Sequence, residues 1–337
     1  MSATDAVETE VTGLLDAARS GDGEAFRALV APHLRSLHVH CYRMLGSYDD
    51  AEEAVQEALL SAWRGLDSYE SRAPLLHWLY RITTTTCLKT LRTRTRRPVT
   101  VAEVTHLQPY PDRLLDQLTD ADGDPAAVVQ RRESVALAFI AALQQLPATQ
   151  RAVLILRDVL TWTSAEVADL LQTSVPSVNS TLQRARTTLR AMDSPTAQRN
   201  GPLDARDRQV MDRFLRAWQR CDIPALAALL REDAILRMPP EAVEIHGRDR
   251  VAEFFATVPA DGRLDLIPLL RTEANGHPAL AAYLPDDSGR CRGYGIMVFT
   301  VADGAVATIT GFPDPGLFSI FGLPATPPGG NRWPIAR

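Results

Sequence analysis

The sequence predicts a multidomain chain: two all-α domains, a helical bundle and a helix-turn-helix, joined by an extended linker and followed by an α+β domain. Three observations predict it. Apolar residues recur at helical spacing across residues 11–97 and again across 126–191, with few glycines or prolines inside. Between these stretches, residues 98–125 carry Pro98, Pro109, Pro111 and Pro125 and lose the periodicity. Past Asp204 the pattern changes to two helices and then short β-type segments separated by turns.

Bulk properties narrow the class. A chain of 337 residues is too long for one ordinary core. Its composition, 45% hydrophobic and 23% charged, is that of a globular protein. No apolar run approaches the ~20 residues that span a bilayer. The first residues, MSATDAVETEVTGLL, are acidic and lack the basic start of a signal peptide, so a cytoplasmic location without membrane association is expected. Cys41, Cys87, Cys221 and Cys291 lie far apart in sequence without a C-x-x-C pair. They suggest buried small hydrophobes rather than a disulfide framework or a metal site, and no cofactor is implied.

The net charge of −5 hides an asymmetry. From Ser71 to Arg97 the charged residues are Arg72, Arg81, Lys89, Arg92, Arg94, Arg96 and Arg97, with none acidic. From Val99 to Pro125 they are Glu103, Asp112, Asp116, Asp120, Asp122 and Asp124, against Arg113 alone. A basic block beside an acidic block points to a segmented protein that meets polyanion in one place.

In the first helical domain (11–97), DDAEEAVQEALLSAW at Asp49–Trp63 puts Ala51, Val55, Ala58, Leu59 and Ala62 on an inner stripe. Asp50, Glu53 and Glu57 line the outer face, which by itself also describes a solvated acidic face. The basic block that follows suits a groove for the backbone of separated strands, and Trp78 suits the core better than base stacking. Residues 98–125 read as an extended, acidic tether.

The second helical domain (126–192) contains the most informative segment, Leu146 to Arg190. Thr163 and Glu166 have the spacing of a capping box, with Val167, Ala168 and Leu171 facing inward behind it. Gln172-Thr173-Ser174 reads as a turn, and Pro176 sits in the first turn of the next helix, where a missing N–H costs little. Val178, Leu182, Ala185 and Leu189 form one buried stripe, and Ser177, Asn179, Ser180, Gln183, Arg184 and Arg186 occupy the opposite face. Short polar groups near the helix start reach base edges, and arginines reach phosphate or guanine. The pattern alone is shared with ordinary bundle helices.

After a second linker (193–203), the α+β domain (204–324) opens with helices at Asp204–Arg220 and Pro224–Leu230. In YGIMVFTVADGAVATITGF, Asp303-Gly304 between apolar runs is a hairpin signal. A tail (325–337) closes the chain.

These motifs carry a resemblance. Leu146-Pro147, Gln150-Arg151, Glu166-Val167-Ala168, Val178-Asn179-Ser180 and Arg184-Ala185-Arg186 resemble the fourth conserved region of extracytoplasmic-function sigma factors. The resemblance implies a helix-turn-helix that binds the −35 promoter element, with contacts from Asn179, Ser180, Gln183 and Arg184. Many members have arginine at the position of Asn179, so the −35 sequence is not implied. DDAEEAVQEALLSAW resembles the second conserved region, whose acidic helix docks on the β′ clamp of core RNA polymerase; Asp50, Glu53, Gln56 and Glu57 inherit that role. Leu75, Trp78, Leu79 and Ile82 match the segment that melts the −10 element, although Thr83 and Thr85 replace the usual alanine and asparagine. Trp78, Arg81, Thr85, Lys89, Arg92, Arg94, Arg96 and Arg97 are its −10 candidates. For the tether, the resemblance implies a path through the polymerase cleft, past the β subunit, where Asp112, Asp116, Asp120, Asp122 and Asp124 mimic nucleic-acid charge or are simply solvated.

Residues 204–324, with GLFSIFGLP near their end, resemble the SnoaL-like, or NTF2-like, α+β cone appended to some sigma factors. The expected function is promoter-specific transcription initiation, with core RNA polymerase and promoter DNA as partners. The cone is expected to regulate in cis, through a small-molecule or protein ligand. Two other readings stay open: a ligand-responsive helix-turn-helix repressor, and a SnoaL-type cyclase or isomerase using Asp212, His246, Asp265, Tyr283 or Tyr294. No catalysis is expected, because nothing in the sequence brings those groups together.

Overall fold

The computed structural model describes residues 3–71, 73–95, 107–116, 134–192, 205–241, 243–286 and 288–328. They belong to two compact units, Met1–Pro98 with Ala142–Ala191, and Val99–Ala141 with Met192–Arg337. The first unit therefore combines the two helical domains that the sequence separates. The second combines the tether with the α+β domain. Among the described residues no helix is long and apolar enough to cross a membrane.

The first unit begins with α1 (Ala3–Arg19), α2 (Gly23–Val30), α3 (Leu34–Leu45), α4 (Tyr48–Gly65) and α5 (Leu75–Thr95). Local signals set the boundaries. Asp22 caps α2 by accepting from the N–H groups of Glu24 and Ala25. Gly46 ends α3 in the left-handed conformation, and Ser47 caps α4 through the N–H of Asp50. The α4 stripe is buried as its spacing predicts: Ala51, Ala54, Val55, Ala58 and Ala62 are all inside, while Leu59 is only half-buried.

The core of this unit also holds polar groups. His40 is fully buried, with Nε2 2.8 Å from the Thr84 hydroxyl. Cys41 and Cys87 are buried neighbours; hydrogen bonding to Cys87 and burial both push the Cys41 thiol pKa up. Burial pushes His38 down to about 4 and His40 down to about 3. In the unfolded chain both rings take up protons as pH falls through ~6.5, whereas the folded core keeps them neutral. Stability is thus complete above that pH and declines as pH drops toward the folded values, by up to ~1.4 kcal/mol per pH unit for each ring. Urea midpoints read by tryptophan fluorescence should fall between pH 7.5 and 5.0. A flat profile would show that these histidines do not govern acid stability.

The same unit continues from the end of α7 (Leu137–Gln144) through α8 (Ala148–Leu154), a π turn (Ile155–Val159), α9 (Ser164–Leu170) and α10 (Val175–Met192). Arg151, 5% exposed, joins the two helical domains by donating to the carbonyl oxygens of Met44, Gln144 and Leu146. Gln144 also donates to the Arg43 carbonyl, at 3.4 Å.

The second unit contains α11 (Ala205–Gln219), α12 (Ile223–Leu229), α13 (Arg248–Thr257) and α14 (Leu317–Phe321). Its sheet comprises β1 (Leu230–Arg237), β2 (Glu244–His246), β3 (Leu269–Ala274), β4 (His277–Pro285), β5 (Cys291–Ala302) and β6 (Ala305–Phe312). The strand order is β2-β1-β6-β5-β4-β3, with β1 parallel to β6 and all other neighbours antiparallel. The Asp303-Gly304 hairpin forms as predicted: both residues have positive φ, and Ala302 pairs with Ala305. The sequence reading, however, places strands only beyond Arg263 and misses β1 and β2. LREDAILR has the burial order of a half-covered strand, but it follows α12 without a turn signal.

One apolar cluster joins α11, α12 and α13 to the sheet around Phe214, Trp218, Phe255 and Phe299. A second collects Tyr283, Ile296, Phe312, Leu317, Phe318 and Phe321. In β5, Gly293 makes this packing feasible, because a Cβ there would lie 2.8 Å from the Phe318 ring.

The tether is corrected by the structure. Residues 107–116 are packed rather than extended, and they include the short helix α6 (Asp112–Leu115). Tyr110 is fully buried, and its N–H donates to Asn275 Oδ1 at 2.8 Å. The Asn275 N–H returns a bond to the Tyr110 carbonyl at 2.9 Å, and its Nδ2 donates to the Val135 carbonyl at 2.6 Å. Asp112, read as a charge mimic, is buried and accepts from the Gly276 N–H at 2.9 Å. Arg113 donates to the carbonyl oxygens of Ile320 and Phe321, which end α14. Leu107 and Leu137 join the second apolar cluster. Alternating prolines and charges hid these anchors, because each is satisfied by a partner more than a hundred residues away. Asp116 is exposed, and Asp120, Asp122 and Asp124 lie outside the described residues.

Candidate nucleic-acid interface

The helix-turn-helix assembles from local chemistry. The Thr163 hydroxyl accepts from the Glu166 N–H at 3.2 Å while the Glu166 carboxylate accepts from the Thr163 N–H at 2.7 Å, completing the capping box. These bonds hold the Glu166 pKa low. Gln172 turns the chain with a φ of 51°. Val178, Leu182 and Ala185 are buried and Leu189 is half-buried, so α10 shows its polar side outward.

On that side Asn179, Ser180, Gln183, Arg184 and Arg186 are exposed, and Ser177 is half-buried. They are not equally available. Arg186 grips Asp158 with two bonds, at 2.9 and 2.6 Å, presented by the π turn. Asn179 Oδ1 accepts from the Ser164 hydroxyl at 2.8 Å, which fixes α9 against α10. Arg184 Nη2 is 3.2 Å from the Thr181 hydroxyl, and the Ser180 hydroxyl turns back to the Ser177 carbonyl. Sequence reasoning did not single out Val175, a 40% exposed apolar side chain at the start of α10. An apolar group there suits contact with a thymine methyl.

In α5, the −10 candidates are less free than their charge suggests. Lys89 Nζ lies 2.8 Å from Glu57, Arg94 lies 2.5 Å from Asp50, and Arg81 lies 2.8 Å from Asp169 in α9. The Lys89 and Arg81 pairs are solvent-exposed and worth little, about 0–1 kcal/mol, so a polyanion can displace them. Arg92 is exposed, whereas Arg96 and Arg97 lie outside the described residues, as does Arg72. The exposed Thr85 hydroxyl donates to the Arg81 carbonyl at 2.8 Å. Thr83 is buried and bonds the Leu79 carbonyl, so only Thr85 of the two substituted positions faces out. Trp78 is half-buried with its ring 5.2 Å from Tyr69. In this arrangement α5 also meets the helix-turn-helix domain where His77 stacks on Trp162 at 4.6 Å.

On α4, Glu53, Gln56 and Glu57 are exposed and share a face by their three- and four-residue spacing. Asp50 does not belong with them. It is half-buried and turned toward Arg94, because at this point of α4 the helix faces α5. The sequence reading missed Leu60, 57% exposed one turn beyond Gln56, which extends the acidic face with an apolar side chain.

The acid–base candidates of the C-terminal domain are dispersed. Asp212 pairs with Arg271. Asp265 is held down to about 2 by Arg263 and by Cys221, whose thiol lies 3.1 Å away. Cys221 is thus half-exposed and polar in its contacts, unlike its three buried counterparts. His246 is exposed beside Glu244, and Tyr283 donates to the Pro324 carbonyl inside the second apolar cluster. A cavity of about 210 Å³ opens beside the first cluster, and only Tyr294 of the five lines it. No group of acidic, histidine and cysteine side chains among the described residues forms a metal site.

Comparison with known proteins finds three families in order along the chain: Sigma-70 region 2 over residues 29–97, Sigma-70 region 4 over 136–189, and a SnoaL-like domain over 211–309. The chain is 40% identical to the ECF RNA polymerase sigma factor SigG of Mycobacterium tuberculosis, over 91% of this chain and 85% of that protein. It is 28% identical to SigJ of the same organism, covering 85% and 90% of the two chains. The crystal structure of SigJ matches in fold with a TM-score of 0.59 at 24% identity, covering 90% of this chain and all of that one (100%).

Proposed function

This chain belongs to the extracytoplasmic-function RNA polymerase sigma factors, which direct transcription initiation, and on that premise we propose which surfaces do the work and how the C-terminal domain acts on them. Asn179, Ser180, Gln183 and Arg184 read the −35 element from the outer face of α10, with Ser177 and Arg186 positioning that helix on phosphate. Arg81, Thr85, Lys89, Arg92 and Arg94 follow the −10 strand, aided by Arg96 and Arg97. Glu53, Gln56, Glu57 and Leu60 dock on the polymerase clamp, with Asp50 orienting α4 through Arg94. The observation that carries this reading is the polar face of α10 opposite its buried stripe, on a fully capped helix-turn-helix.

The two promoter elements lie about 25 base pairs apart, roughly 85 Å of B-DNA at ~3.4 Å per step. The Arg81–Asp169 and His77–Trp162 contacts therefore part when both elements are bound. The C-terminal domain regulates in cis by holding the tether at residues 107–116, the segment that must be free to follow its path on polymerase. It does so without acid–base catalysis, since its titratable candidates are paired elsewhere. A ligand-responsive repressor needs no acidic clamp helix and no strand-separating groove, so that reading is not favoured.

Run-off transcription with purified core polymerase on a promoter library tests this with the full chain. Defined start sites are expected. Arg184→Ala and Asn179→Ala should each lower transcription about five- to hundredfold, or ~1–3 kcal/mol per base contact, while core binding stays unchanged. Absence of defined starts from the unaltered chain would overturn the assignment of these surfaces. Equal use of all promoters by the variants would remove Arg184 and Asn179 from base readout.

A further inference from the structure

The cavity of the C-terminal domain has a chemical selectivity that can be read from its wall. It measures about 210 Å³ and is lined by Trp218, Phe254, Phe255, Ile267, Met297 and similar groups. Tyr294, at its edge and 40% exposed, is the one titratable side chain on the lining. The indole N–H of Trp218 is already committed to the Ile267 carbonyl at 3.1 Å. A charged ligand would lose its hydration there and gain no counter-charge. An apolar cavity of ~150 Å³ accommodates a benzene ring, so this one is sized for a molecule of one or two fused rings.

The wall is also shared. Ile296 and Phe312 line the cavity and at the same time belong to the second apolar cluster, which seats Leu107 of the tether and Leu137. Packed interiors are close to solid, so filling one side of these two residues restricts them on the other.

We propose that this cavity is a binding site for an uncharged, predominantly apolar small molecule of one or two fused rings, whose occupancy tightens the seat of residues 107–116. The second half of this statement rests on the reading that the C-terminal domain holds the tether. Naphthalene serves as the probe, with 2-naphthoate as its charged counterpart. Equilibrium dialysis with the full chain should show one saturable naphthalene site per chain and at least tenfold weaker binding of 2-naphthoate. Ala282 lies on the wall, so Ala282→Leu should abolish naphthalene binding and the smaller Ala282→Val should weaken it, with circular dichroism confirming the fold. Saturation with naphthalene should slow hydrogen exchange at residues 107–116 at least threefold in the full chain.

No saturable site, equal affinity for 2-naphthoate, or unchanged binding in both folded variants would overturn the site. Binding without any change in exchange at 107–116 would overturn the coupling. Run-off transcription by the same protein, measured without probe, reports separately on the sigma-factor surfaces. A failure there cannot be mistaken for a failure of the cavity.

Discussion

Asn275→Ala should release residues 107–116 from the C-terminal domain and lower the stability of that unit by about 3–5 kcal/mol. The side chain is fully buried and bonds both the Tyr110 N–H and the Val135 carbonyl. Removing it leaves two buried backbone groups without a side-chain partner, at ~1–3 kcal/mol each. Asn275 also has a φ of 57°, a left-handed conformation that asparagine tolerates and alanine resists by ~1–2 kcal/mol. Asn275→Asp keeps the acceptor for Tyr110 and loses the donor to Val135, so an intermediate effect is expected. Thermal melts and hydrogen exchange of the Tyr110 amide measure both. If that amide exchanges at its original rate in Asn275→Ala, the tether is held by something else. The same variant tests regulation in cis: transcripts per polymerase-bound chain should change, and an unchanged yield would separate tether docking from regulation.

The double variant Glu53→Lys/Glu57→Lys should lose binding to core polymerase by at least a hundredfold, about 2.7 kcal/mol, without loss of fold. Both side chains are exposed on α4. Glu53 makes no ion pair among the described residues. The Glu57–Lys89 pair is exposed at 47% and 73%, so breaking it costs the domain no more than ~1 kcal/mol. Reversing two charges at the centre of an electrostatically complementary interface costs several kcal/mol. Leu60→Ser should add to the loss if the exposed leucine is the apolar anchor of that face. Co-sedimentation with core polymerase, alongside an unchanged circular dichroism melt, checks both. Normal binding by the double variant would move the docking surface off this helix.

Much of this was legible from sequence, for reasons that are local. The capping box at Thr163 and Glu166 and the stripe of Val178, Leu182 and Ala185 depend on neighbours three or four residues apart. So does the inner face of α4. The Asp303-Gly304 turn depends on two residues alone. Such interactions survive in a one-dimensional pattern, and they sufficed to identify two helical DNA-binding domains and the α+β domain that follows.

The remainder was decided by partners far along the chain. Asp112 and Asp116 are both acidic residues of the same stretch, yet one is buried on the Gly276 N–H and the other is exposed. Asp50 and Glu53 share an acidic run, but only the first is turned inward to Arg94. Arg184 and Arg186 are two residues apart, and the second alone is held by Asp158. The sequence by itself determined which segments form helices and hairpins and which faces are apolar. Only the tertiary structure decided which charges remain available to polymerase and promoter. Ion pairs and buried hydrogen bonds are set by distance in space, and no periodicity records that distance.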